Sequence, residues 1–193
     1  MMVQKVLDIS SMAFLDAIDI QFIIETLEAG NMPSSVAAVN AACTDKVAQC
    51  IYRSLWTRLV VIVARAYAEA RPGDLHAQYA FDLLKEPSTR SDVEKRGDIT
   101  ALADAIERWK KCRGDHRLKL VREFRDKQIA HWGELDATRR PIINDIFAVS
   151  RATAATFERL AQGTGAVTLS LDSQLIGYRK QAERFWTNQA PTS

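Results

Sequence analysis

Leu118-Lys119-Leu120-Val121-Arg122-Glu123-Phe124-Arg125-Asp126-Lys127-Gln128-Ile129-Ala130-His131 decides how the rest of the chain is read. It is a strongly basic helical segment, set off from what precedes it by Gly114-Asp115, a pair that permits a break or kink. Just upstream, Asp98 is a good cap for a helix through Cys112 that carries Ile99, Leu102, Ile106 and Trp109. Downstream, a loop is expected over Trp132 to Thr138. Pro141 then fits a helix start, and Ile142, Ile143, Ile146, Phe147, Val149 and Phe157 continue it to about Ala161. Gly163-Thr164-Gly165 stops that helix, and a last amphipathic helix runs from Asp172 to about Asn188 with Leu175, Ile176, Tyr178, Phe185 and Trp186. It could pack on its own domain or wrap a second subunit.

Toward the N-terminus, residues 4 to 29 read as one helix. Val6, Leu7, Phe14, Leu15, Ile18, Phe22, Ile23 and Leu27 recur there at three- and four-residue steps. Gly30 to Pro33 ends it, with Ser34 or Ser35 expected to cap the next. A long second helix is expected from about 36 to 70, with the stripe Val47, Ile51, Leu55, Leu59, Ile62 and Val63, ended by Arg71-Pro72-Gly73. Asp74 is expected to cap a shorter helix through about Lys85, and Glu86 to Ser91 reads as polar loop. Val167 to Leu169 could form a strand, but nothing offers it a partner. The expectation is an all-α up-down helical bundle, divided into an N-terminal helix (1–32), a central bundle (33–162) and a C-terminal amphipathic helix (163–193).

Composition narrows the class. The chain has 193 residues, 47% hydrophobic and 26% charged, as in one ordinary globular domain with a full core. Net charge is only +2, so affinity for a polyanion must come from local clustering. Cys43, Cys50 and Cys112 form no CxxC pair and no ligand pattern, which reads as reduced, mostly buried thiols. Residues 1 to 11 lack the apolar core of a signal peptide, and the most apolar run, Leu59 to Ala64, is too short for a membrane span. The expected compartment is the cytoplasm, without membrane association. No phosphate-cradling glycine loop, nucleophile elbow or dinucleotide fingerprint is present. His76 and His116 stand alone, without metal-ligand spacing, so neither a metal nor a cofactor is expected.

The cations do cluster. Arg108, Lys110, Lys111, Arg113, Arg117, Lys119, Arg122, Arg125 and Lys127 share one window with only Asp115, Glu123 and Asp126 as acids. Such a stripe attracts phosphate backbones without reading sequence; the alternative is a solvated face with internal ion pairs. On an α-helix, Arg125 and His131 stand roughly 9 Å apart along the axis and about 120° apart around it. One helix therefore cannot close both side chains on a single phosphate, whereas two copies meeting across a two-fold axis could. Trp109, Trp132 and Trp186 could stack bases, although core or interface packing is the plainer use of them.

Arg125-Asp126 followed by Ala130-His131, with five residues between arginine and histidine, resembles the signature of the HEPN superfamily. The flanking residues from Leu118 onward, and Ser54-Leu55-Trp56 to Arg65 upstream, are similar to the abortive-infection type U branch. The likeness covers residues 35 to 160 or so, and its specific part is 118 to 131. The resemblance implies a helical bundle that dimerises and acts as a metal-independent endoribonuclease. In that reading His131 moves the proton, Arg125 stabilises the charged transition state, Asp126 orients Arg125 or the second subunit's site, and Lys119, Arg122 and Lys127 hold flanking phosphates. RNA is then the substrate, and a separate antitoxin protein is a further implied partner. The alternative is a non-catalytic helical module that binds RNA or a protein, since many HEPN domains have no catalytic role.

Overall fold

The computed structural model describes residues 2–69, 74–131 and 140–187. Their helices are α1 (Met2–Gly30), α2 (Pro33–Ala41), α3 (Asp45–Ala66), α4 (Ala77–Leu83), α5 (Pro87–Glu94), α6 (Ile99–Gly114), α7 (His116–Phe124), α8 (Ile143–Thr164) and α9 (Leu171–Thr187). A π-helical segment, Arg125–Ala130, continues directly from α7. Among the described residues there is no strand, and the all-α expectation holds.

The core forms where apolar stripes meet. On α1, Val6, Ile9, Ile20 and Ile24 are fully buried; on α8, Ile146, Phe157 and Leu160; on α3, Leu59, Val60 and Val63. Helix α8 is the central element, lying between α1 on one side and α6 on the other. The α6–α8 contact is close because residue 163 has no side chain: a Cβ there would stand 2.4 Å from the Leu102 nitrogen. Gly165, with φ of 74°, then ends α8 in the left-handed conformation that glycine adopts without strain.

Helix α9 packs on its own chain, against α1 and α2. Tyr178 stacks on Phe22 with ring centroids 3.8 Å apart, and the Trp186 indole N–H donates to the Thr26 carbonyl at 2.9 Å. Arg179 reaches both oxygens of the buried Glu25 carboxylate at 2.6 Å. This bidentate pair raises the guanidinium's pKa, first through the hydrogen bonds and then through the charge.

Several local expectations are corrected. The helix expected from 36 to 70 is two helices, separated at Ala42 to Thr44, where Cys43 takes a φ of 54°. Helix α2 has only Ser35 and Val39 buried, so no long apolar stripe carries it across that point. Pro33 rather than a serine opens α2, and the Ser35 hydroxyl instead donates to the Ala29 carbonyl at 2.7 Å. The supposed loop at Glu86 to Ser91 falls largely inside α5: Pro87 occupies the first turn, where its fixed φ favours a helix, and Thr89 and Val93 are buried. Asp74 is not the cap of α4; His76 holds that position without a side-chain bond. Cys43 and Cys50 are exposed and only Cys112 is buried, because the first two lie at or near the α2–α3 break. The expected stop at Arg71 to Gly73 and the loop from Trp132 lie outside the described residues.

The membrane expectation needs a wider view of α3. The run Leu59 to Ala64 is short, but the whole 22-residue helix is long and apolar enough to cross a membrane by length and composition. Its most apolar 18-residue window has a mean hydropathy of 1.3 and is 28% buried. The C-terminal half of α3 is core, which accounts for part of that apolarity, while Val47 and Val61 face outward.

Candidate nucleic-acid interface

The basic stretch is anchored at Asp115. Its carboxylate caps α7 by accepting from the Arg117 backbone N–H at 2.9 Å, and the Arg117 side chain closes on it at 2.6 Å. The hydrogen bonds from Arg117 hold this carboxyl below the usual carboxylate range. From there α7 buries Leu118 and Val121 and turns Lys119 and Arg122 to solvent.

Arg125–Ala130 departs from the α-helix that the sequence led us to expect. Phe124 and Ile129 are both packed against the core, and they stand five residues apart. On an α-helix that step swings a side chain about 140° away; a π turn, bonded from each residue to the fifth along, brings it back to nearly the same face. The apolar spacing thus matches the wider turn. The α-helical angle worked out between Arg125 and His131 does not apply, because the π turn lies between them.

The candidate residues are disposed as follows. Arg125 opens the π segment with its side chain one-third exposed, and its Nε lies 2.8 Å from Asp126 Oδ1. Distance makes this an ion pair, yet the N–H is not aimed at an acceptor among the described residues. At this nitrogen the contact with Asp126 is electrostatic. His131 leaves the helical path with φ of −126° and is exposed. Lys119, Arg122 and Asp126 line one cavity of about 260 Å³ together with Arg113, Asp115, Leu118 and Glu123. Lys127 is exposed, and neither it nor Arg125 nor His131 lines that cavity.

Ion pairing divides the basic window in two. Arg108 pairs with Asp104 at 2.8 Å, Lys110 with Glu107 at 2.7 Å and Arg117 with Asp115 at 2.6 Å. Lys111, Arg113, Lys119, Arg122 and Lys127 have no ion pair among the described residues. Part of the stripe is therefore the internally neutralised face that was the alternative reading, and the part nearest the π segment is an open cationic surface. Arg113 belongs to that open part; only its place in the basic window marked it in the sequence.

Among the described residues, no three His, Cys, Asp or Glu side chains converge as metal ligands. Trp109 is sandwiched between Tyr67 and Phe81, at 4.5 and 4.3 Å, and Trp186 is buried beneath α9, so neither presents a free ring face.

Sequence comparison bears on the same elements. Residues 32–185, from the start of α2 nearly to the end of α9, match the AbiU2 family of HEPN domains. The chain belongs to that family. No curated protein and no solved structure gives a significant match. The AbiU2 match includes α9 as well as the bundle, in keeping with the packing of α9 on α1 and α2. The open cations of α7 lie inside the matched region.

Proposed function

We propose that this AbiU2-family protein is a metal-independent endoribonuclease that works in the cytoplasm as a homodimer, in stress response or phage defence and under a separate antitoxin. The observation that carries the reading is the pairing, within a HEPN chain, of a partly exposed Arg125 beside Asp126 and an exposed His131 with cations that make no close ion pair, Arg113, Lys119, Arg122 and Lys127. Two copies brought together at the π segment would supply two arginines and two histidines to one cleft.

In this reading a ribose 2′-oxygen attacks the adjacent phosphorus, its proton passing to one His131. The bond to the departing 5′-oxygen breaks as that oxygen takes a proton from the protonated His131 of the partner subunit. The products are a 2′,3′-cyclic phosphate and a 5′-hydroxyl, and DNA, lacking the 2′-hydroxyl, is not cut. Arg125 offers its planar fork to the charge that builds on phosphorus-bound oxygens, with Asp126 holding it in place. Lys119, Arg122 and Lys127 hold flanking phosphates.

The test is incubation of the dimer with labelled RNA in EDTA, beside His131→Ala protein of equal fold and oligomeric state. Cleavage to cyclic-phosphate ends by the wild type, reduced at least a hundredfold in the variant, is the expected result. A second reading, a non-catalytic RNA-binding module, is favoured by the same open cations, which need no histidine. Salt-sensitive binding with no cleavage by either protein would establish it and overturn the nuclease.

A further inference from the structure

The largest cavity among those described, about 800 Å³, lies away from Arg125 and His131. Its walls are apolar, with Phe81, Leu84, Ile106 and Trp109, and its rim is cationic, with Lys85, Arg90, Lys110 and Arg113. The aromatic wall is rigid, because the stack of Tyr67, Trp109 and Phe81 fixes it from behind. Three rim cations are neutralised by neighbours: Lys85 by Asp82 at 2.6 Å, Arg90 by Glu94 at 2.8 Å and Lys110 by Glu107 at 2.7 Å. Arg113 makes no ion pair at such distances among the described residues, although the Asp82 carboxylate feels its charge.

Arg113 also lines the 260 Å³ cavity beside Lys119, Arg122 and Asp126, and a third of about 520 Å³ that contains Lys85 and Arg122. The three adjoin one another at shared lining side chains, with Arg113 common to all, and together they reach from Asp126, beside Arg125, to the apolar cavity. We propose that the cavity is a subsite for an unpaired nucleotide of a bound RNA strand, with the base against Ile106 and Phe81 and the neighbouring phosphates on Arg113 and Arg122. The proposal rests on RNA being the ligand. Charge complementarity favours RNA: the charged residues that line the cavity, Lys85, Arg90, Lys110 and Arg113, are all cations, and Arg113, Arg122 and Lys119 carry cations onward between the acids Glu69, Asp82, Asp115, Glu123 and Asp126. The cavity's volume falls within the range of small-molecule sites, and its lining suits a base, an apolar disc attached to an anion.

The experiment is fluorescence anisotropy of a labelled single-stranded oligoribonucleotide on the dimer, across a salt series, using His131→Ala protein so that nothing is cut. Arg113→Ala should weaken binding and flatten the salt slope by about 0.7, the share of one phosphate contact on a single strand. Ile106→Trp fills the cavity without removing charge. It should weaken binding about five- to tenfold, as expected for loss of one base contact, with the salt slope unchanged. An oligonucleotide carrying abasic residues should lose the same factor on the unfilled protein, which tests the cavity even if Ile106→Trp unfolds. Equal binding of abasic and intact strands would overturn the proposal. So would an acidic peptide of matched charge that binds with the same dependence on residue 106. Failure of the cleavage assay with these losses intact would remove the nuclease and keep the subsite; cleavage with no such losses would do the reverse.

Discussion

Arg179 of α9 and Arg122 of α7 are used in opposite ways. Arg179 of α9 is taken up by the buried Glu25 carboxylate through two hydrogen bonds, beside an indole that donates to a backbone carbonyl and a tyrosine stacked on a phenylalanine. Arg122 on the α6–α7 arm, like Arg113, makes no close ion pair among the described residues, although Asp82 feels the Arg113 charge, and the π segment that follows buries no residue fully. The α9 seam is satisfied from within the chain and contributes to stability. The arm leaves Lys119 and Arg122 without a close ion pair among the described residues and breaks the helical regularity after them.

The comparison breaks if substitutions in the two regions affect stability alike. Trp186→Ala has the largest expected effect. It removes a side chain only 1% exposed and should lower stability by about 3–5 kcal/mol, read as a fall of roughly ten degrees or more in Tm. Asp115→Ala, at the root of the arm, should lose about 1 kcal/mol, the usual worth of a helix cap. This loss has a pH signature. The folded carboxyl is held below its unfolded value of about 3.9 by Arg117, so the unfolded chain binds more protons as pH falls. The stabilisation is complete above about pH 4 and disappears as pH drops through the folded pKa. Urea midpoints of wild type and variant should therefore differ near neutrality and converge in acid. His131→Ala should change stability least, within about 0.5 kcal/mol, because the side chain is exposed at the end of the π segment. A large drop in Tm there would make the histidine a structural residue and end the contrast.

How much of this was legible in the sequence depended on how local the signal was. Asp98 acts as the cap its position implied, accepting from a backbone N–H at 2.8 Å, whereas Asp115, read only as part of a break, proves to cap α7 at 2.9 Å. Gly165 ends α8 where the glycine pair indicated. The α2–α3 break was less visible, since alanine-rich sequence favours helix on both sides and only Thr44-Asp45 marks a new start. Pro87 and the polar residues after it resemble a loop until Val93 and Thr89 are seen to face the core. The π segment had a readable trace, the five-residue step from Phe124 to Ile129, masked by the strong α-helical periodicity before it. Of the candidate site, the residue types were legible, but which cations stay open was not. That is decided by acids such as Asp104 and Glu107 one turn away, and by which side of α6 and α7 is buried. The apolar cavity was beyond reach, because its walls come from three separate helices.

The pairing of α1 with α8 has a consequence for how the protein is made. The two helices share the core, yet roughly a hundred residues separate them in the chain. At a ribosomal pace of about 5–20 residues per second, the apolar face of α1 waits on the order of 5–20 s for its mate. Over that interval the nascent chain has neither a closed core nor, since α8 also supports α7, a settled cationic arm. The arm gains its support, and α1 its main apolar partner, only once α8 has been made.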